Sequence, residues 1–134
     1  MIPKFRAWDK ENNQMLFPDD TDKIYFEITV DGVVTYDMNH ILPDGTFTCL
    51  DTGIMQSTGL KDKNGIEIFD GDFLTDGEER WIVRYSETEC GFTASGVGKS
   101  GCWSLYHLAN GKKKGRLIEV IGNKYENPEL LKFR

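Results

Sequence analysis

The sequence predicts a mainly β protein built from antiparallel hairpins that close into a small barrel or sandwich. Three observations favour this class: short runs in which apolar and polar residues alternate, glycine-containing turns between the runs, and no long amphipathic helical stretch. Asp-Gly and Asn-Gly pairs tolerate the positive φ angles of tight reversals. Because short turns join neighbouring strands, the strands are expected to pair in an antiparallel arrangement.

Two hairpins are predicted in the N-terminal part of the chain. The clearer one has apolar Ile24, Phe26 and Ile28 alternating with polar neighbours ahead of an Asp31-Gly32 turn. A looser segment follows over residues 39–53. The predicted strands of this part cover residues 5–8, 14–17, 23–30, 33–38 and, more briefly, 47–50.

The C-terminal part is predicted to hold further short strands and one short helix. Residues 102–108 are ambiguous, because Leu105 and Leu108 also fit a helical turn, but the alternation there favours a strand. Asn127 as N-cap, Pro128 and Glu129 in the first turn indicate the start of the helix. The predicted strands cover residues 66–69, 72–74, 80–86, 91–94, 102–108 and 117–121, the last ended by Gly122.

The chain is long enough for one domain or for a small domain with an appendage. We expect an N-terminal β-hairpin region over residues 1–52. A small β-barrel with a short C-terminal helical tail is expected over residues 53–134, and the two regions can pack as one unit. A hydrophobic content of 39% is sufficient for a core and argues against disorder.

The net charge of −6 disfavours non-specific binding of nucleic acid. The one dense basic run is predicted to be a solvated turn, with contact to an anionic partner as the alternative. This run consists of Lys112, Lys113, Lys114 and Arg116.

The N-terminus lacks the apolar core of a signal peptide, and no apolar run reaches the length of a membrane span. The three cysteines have no close pair in sequence, which suits a reducing compartment. These features predict a cytoplasmic protein that does not enter a membrane.

No cofactor, metal site or catalytic residue is predicted. Gly98-Lys99-Ser100 resembles the end of a phosphate-binding loop, but Thr93 occupies the position of the opening glycine. The cysteines lack zinc-site spacing, and a calcium loop starting at Asp62 would place Glu67 and Phe73 at positions that require Gly and Glu. The carboxylates near Asp62 are therefore interpreted as turn formers.

Three separated segments carry a resemblance to a known family. They are KFRAWDKEN at residues 4–12, QSTGLKDKNGIEIFDGDFL at residues 56–74 and EVIGNKYENPELL at residues 119–131. In order and spacing they resemble the YopX-like proteins of phages and prophages. Ser57, Ile66 and Lys124 depart from the residue types usual in that family. The resemblance implies a mainly β C-terminal unit similar to small SH3-type barrels and a homo-oligomer, and it implies no activity.

The function expected from these observations is that of a non-enzymatic phage accessory protein that binds a protein partner or its own copies. The first alternative is a nucleic-acid-binding module that uses the run Lys112–Arg116 together with exposed aromatic residues. Aromatic side chains in strand-like runs more often fill a core, as we expect for Trp8, Trp81 and Trp103. The second alternative is an enzyme that uses Cys90, Cys102 or a carboxylate near Asp70.

Overall fold

A computed structural model describes residues 4–18, 23–98, 101–109 and 117–132 of the chain. Within these ranges the protein is mainly β, and all of its paired strands are antiparallel, which confirms the predicted fold class. The chain divides into two units, Ile2–Gln56 and Ser57–Arg134. The predicted division after residue 52 stays a prediction.

The N-terminal unit contains the two predicted hairpins. In the first, the Asp9 carboxylate fixes the turn, because its Oδ1 accepts the backbone N–H groups of Glu11 at 3.0 Å and Asn12 at 3.2 Å. The second pairs Ile24 with Asp37 and extends to a third strand. The strands are β1 (Phe5–Asp9), β2 (Gln14–Leu16), β3 (Ile24–Thr29), β4 (Gly32–Ile41), β5 (Phe47–Cys49) and the first half of β6 (Thr52–Lys61).

Strand β6 was not predicted from the sequence, and β4 runs further than expected into the segment interpreted as loose. Residues of β6 alternate between buried and less buried positions, as strand residues should. The buried positions, however, are occupied by Gly53, Met55 and Ser57. Because two of these three residues are not apolar, the hydrophobic alternation that would reveal the strand is missing.

The C-terminal unit is built on a five-stranded sheet in the strand order β11-β10-β9-β8-β12, and the described part of the chain contains one half-barrel. One face of this sheet packs Leu74, Trp81 and Val83 together with Ile68 and Leu105 in a buried cluster. The SH3-type closure implied by the family resemblance stays a prediction. The strands are β7 (Glu67–Phe69), β8 (Asp72–Thr75), β9 (Arg80–Ser86), β10 (Gly91–Gly96), β11 (Cys102–Ser104) and β12 (Glu119–Asn123).

Helix α1 (Leu105–Ala109) corrects the strand predicted over residues 102–108, of which only the first three residues are extended. Leu105 and Leu108, three positions apart, are 1% and 3% exposed in the core cluster. A helical turn places both side chains on one face, whereas a strand would point them to opposite faces. Burial of both leucines therefore favours the helix.

The short C-terminal helix is confirmed as a 3₁₀ helix, Pro128–Leu131, with Asn127 in the N-cap position. Asn127 makes no side-chain capping bond; its Oδ1 instead accepts the backbone N–H of Asn123 at 3.3 Å. Gly122 does not end the preceding strand as predicted. Strand β12 continues through a register shift between Val120 and Gly122.

Candidate interaction surface

Exposed apolar side chains are concentrated on the three-stranded sheet formed by β3, β4 and β5 and on the connections between these strands. Of the fifteen exposed large apolar side chains in the described ranges, seven lie between residues 25 and 47. Ile28 is 73% exposed and Val30 fully so. The seven residues are Tyr25, Ile28, Val30, Met38, Ile41, Leu42 and Phe47. Large apolar side chains left exposed in one part of a protein are typical of regions that bind another protein, and here they lie on both faces of the sheet.

The two faces of this sheet have different surroundings. Thr35 is 1% exposed, and its hydroxyl lies 2.8 Å from that of Thr52, so this face is turned towards β6 within the N-terminal unit. Tyr25 pairs with Tyr36, which neighbours Thr35 in sequence and therefore points to the other face. The face that carries the two tyrosines is the outer face of the sheet.

An open pocket of about 390 Å³ lies on the outer face, and we refer to it as the aromatic pocket. The rings of Tyr25 and Tyr36 lie 6.4 Å apart, centroid to centroid, with a tilt of 32°. The Tyr36 hydroxyl donates a hydrogen bond of 3.4 Å to Oε1 of Glu27. Partial desolvation and the Glu27 carboxylate raise the pKa of Tyr36, so the phenol stays protonated at neutral pH. The lining residues are Tyr25, Glu27, Tyr36, Met38, Thr46 and Phe47.

A second open space, a groove of about 530 Å³, lies along strands β9 to β11 of the C-terminal unit. Arg84 and Thr93 pair across these strands and lie on the face opposite to the buried Val83 and Ala94. The Cys102 thiol, which also lines the groove, lies 3.5 Å from the Ser95 hydroxyl. Among the described residues that line this groove there is no histidine.

Two of the carboxylates singled out from the sequence, those of Asp62 and Asp72, act as turn formers, as predicted. Asp62 is 8% exposed, and its Oδ1 accepts the N–H groups of Asn64 at 2.8 Å and Ile66 at 2.9 Å. Asp72 accepts the N–H of Phe69 at 2.8 Å. In the part of the chain that the structure describes, no group of three or more His, Cys, Asp or Glu side chains is placed to hold a metal ion.

The predicted anionic-partner contact, formed by Lys112, Lys113, Lys114 and Arg116, lies outside the described residues, as do Lys99 and Ser100. The other sequence candidates are placed. Cys90 is exposed in the turn between β9 and β10, where its φ is 54°, and Cys49 is exposed as well. Asp70 is partly buried in the turn between β7 and β8.

The fold and the order of the three sequence segments point to one family. A family model described as YopX protein matches residues 4–132. The chain belongs to the YopX family.

Two solved structures are similar to this YopX-family chain. EF1440 from Enterococcus faecalis is 28% identical, and the match covers 98% of this chain and 99% of that chain with a TM-score of 0.60. The yopX protein from Bacillus subtilis is 21% identical, with coverage of 97% and 96% and a TM-score of 0.58. The likeness to the second structure shows the fold alone. No curated protein matches the chain.

Across the ranges described, the YopX-family chain has no helix long and apolar enough to cross a membrane.

Some of the aromatic residues lie in the core and others are exposed on the surface. Trp81 is fully buried, as expected, whereas Trp103 is 37%, Tyr85 55% and Tyr106 60% exposed.

Sequence reasoning missed the aromatic pocket, although part of its signal was present. Tyr25 and Tyr36 are equally distant from the junction between Val30 and Asp31, so a hairpin centred there places them opposite each other. Phe47 could not be assigned to the same site, because β5 joins β4 through a register shift between Asp37 and Ile41.

Proposed function

We propose that this YopX-family chain is a non-enzymatic protein-interaction module, encoded by a phage or prophage and active in the cytoplasm of the bacterial host. The observation that carries the proposal is the concentration of exposed apolar side chains on the sheet formed by β3, β4 and β5. Covering these side chains with a partner removes apolar surface from water, at roughly 25 cal/mol for each Å². The partner is another phage or host protein or a second copy of this chain.

The edge strand β3 offers a second means of attachment. The Met38 N–H bonds the Lys23 carbonyl at 2.7 Å, and bonding to β4 alternates along an antiparallel strand. The backbone groups of Ile24, Phe26 and Ile28 therefore point away from β4. An edge of this kind accepts an added strand from a partner or from another copy.

The experiment that tests this proposal replaces Ile28 with lysine, because a charged side chain on an edge strand opposes strand addition and apolar contact. Ile66→Lys is the matched control, since Ile66 is 54% exposed and belongs to the C-terminal unit. Self-association is measured by sedimentation velocity, and partner binding by affinity capture from host lysate.

We expect the wild type to self-associate or to retain a defined protein, and we expect Ile28→Lys to weaken this binding roughly tenfold or more. Ile66→Lys should bind as the wild type does. A wild-type protein that is monomeric and retains nothing contradicts the proposal, as does equal loss of binding in the two variants.

A nucleic-acid-binding function is the second candidate, and the exposure of Tyr85, Trp103 and Tyr106 supports it, because exposed rings can stack on unpaired bases. Binding to single-stranded DNA or RNA should then be measurable at low salt, fall steeply with added salt and weaken when the run Lys112–Arg116 is neutralised. Absence of binding at low salt excludes this candidate.

A further inference from the structure

We propose that the aromatic pocket binds the cationic side chain of an arginine or lysine in a basic segment of a partner protein. This inference rests on the proposed interaction function and names the chemistry that the outer face of the sheet recognises.

The aromatic rings supply one half of the recognition. Tyr25 is 48% exposed, Phe47 is 37% exposed, and Tyr36 completes the set of three rings in one pocket. The face of an aromatic ring carries partial negative charge and attracts a cation that lies within about 6 Å of the ring centre. An arginine side chain can stack on such a face while it keeps its hydrogen-bond donors available.

Glu27 supplies the other half, because it is the one charged residue among the described residues that line the pocket. The Tyr36 hydroxyl donates a long hydrogen bond of 3.4 Å to the Glu27 carboxylate, which can still accept further hydrogen bonds. A guanidinium or ammonium group placed between the rings would form a charge-assisted bond with Glu27. Met38, with its flexible thioether, can pack against the methylene stem of the incoming side chain.

Charge decides between a cation and the other possible occupants. An apolar side chain would remove water from the Glu27 carboxylate without giving it a partner, which is unfavourable. An anion would be repelled by Glu27 and by the net charge of −6. A basic segment satisfies both the rings and the carboxylate, and an open pocket of about 390 Å³ accommodates one long cationic side chain.

The probe for this inference is a short glycine-serine peptide that carries arginine, compared with the same peptide in which citrulline replaces arginine. Citrulline keeps nearly the same shape and has no charge. Binding to the full chain is followed by NMR, through the resonances of Tyr25, Glu27, Tyr36 and Phe47. We expect the arginine peptide to shift these resonances and to bind roughly tenfold more tightly than the citrulline peptide.

Two variants locate the effect in the pocket. Glu27→Gln removes the charge, keeps the shape, and should reduce the preference for the arginine peptide over the citrulline peptide, while the aromatic rings retain part of that preference. Tyr25→Leu removes a ring while keeping an apolar side chain, and it should also weaken arginine binding. The matched control is Glu87→Gln, which changes the net charge equally at an exposed residue outside the pocket and should leave binding unchanged.

Equal affinity for the two peptides in the wild type overturns the inference, and so does an equal effect of Glu27→Gln and Glu87→Gln. Failure of the inference differs from failure of the proposed function, because Ile28 pairs with Val33 on the opposite face of the sheet. If Ile28→Lys abolishes association while the peptides are not distinguished, the pocket inference alone is wrong. If the peptides are distinguished and Ile28→Lys has no effect on association, the strand-edge proposal alone is wrong.

Discussion

Asp70, in the turn between β7 and β8, is a charged residue in a partly buried position. Burial raises the pKa of its carboxyl above the ordinary value of 3.8, while the charges of Lys124 and Arg84 act in the opposite direction. The folded chain therefore holds this proton more tightly than the unfolded chain. The contribution of Asp70 to stability is greatest at low pH and falls as the pH rises from 3.8 through the folded-state pKa.

Asp70→Asn should increase the free energy of unfolding at neutral pH, because asparagine keeps the size of the side chain and carries no charge to desolvate. The gain over the wild type should shrink as the pH falls through the raised folded-state pKa, and it should be smallest below the ordinary pKa of 3.8. Urea denaturation of both proteins at several pH values measures the difference. A gain that is independent of pH contradicts the assignment.

Asp44 serves as the control for Asp70, because its pKa is shifted in the opposite direction. Hydrogen bonds from the side chain and backbone of Thr46 lower the pKa of Asp44, so its contribution to stability is present above pH 3.8 and is lost as the pH falls. Asp44→Asn should therefore destabilise the protein at neutral pH, and the loss should disappear in acid.

Asp62 shows how far local sequence information extends. Its bonds to Asn64 and Ile66 belong to a turn that the residues themselves predict. Its second carboxylate oxygen accepts the N–H of Val120 at 2.9 Å, across 58 positions of sequence. No periodicity or spacing in the chain reports this contact, because it depends on how distant strands come together.

At the scale of elements, the connection from β12 to the 3₁₀ helix passes so close to Gly122 that this position has no room for a side chain. A Cβ on Gly122 would collide with the Asn127 side chain, with the carboxamide Cγ only 2.7 Å away. Gly122→Ala should therefore lower the free energy of unfolding by about 1–3 kcal/mol. Chemical denaturation of the purified variant measures this loss.

A double-mutant cycle with Asn127 tests whether this collision causes the loss of stability. Asn127→Ala removes the carboxamide, so Gly122→Ala should cost less in that background, with a coupling energy of about 1 kcal/mol in a double-mutant cycle. If the two substitutions are additive, the collision does not explain the cost.

The hairpins were predictable because each depends on a turn and on the two flanking stretches of alternating apolar and polar residues, all of which are close in sequence. Strand β6 was not, because Gly53 and Ser57 occupy buried positions where apolar residues would have revealed it. For the aromatic pocket, the hairpin register supplied the pair Tyr25 and Tyr36, and only the folded sheet supplied Phe47.

At the scale of the whole molecule, burial is distributed unevenly between the two units. Both buried hydrophobic clusters found in the described ranges belong to the unit Ser57–Arg134. Across β3, β4 and β5, Thr35 is the one buried residue. Few buried contacts and well-hydrated backbone bonds favour local opening of those three strands.

We therefore expect backbone amides in β3 to β5 to exchange hydrogen with solvent at least roughly tenfold faster than those in β8 to β10. Hydrogen exchange followed by mass spectrometry on dilute protein measures both groups in one sample. Equal protection would contradict this expectation. Repeating the measurement at higher protein concentration gives a control, because self-association through the sheet would slow exchange in β3 to β5 alone.

Strand β6 also limits how the protein can be dissected. Its residues 52–56 pair with β1, and further along Ser57 and Lys61 pair with β7, all on one uninterrupted ribbon of backbone. Cutting the chain at either end of β6 removes a pairing strand from one of the two fragments. Cutting within β6 divides the strand, so both fragments lose part of it. Fragments intended to fold separately should each retain their own copy of residues 52–61. Otherwise a strand is left with an unpaired edge, which is expected to promote aggregation.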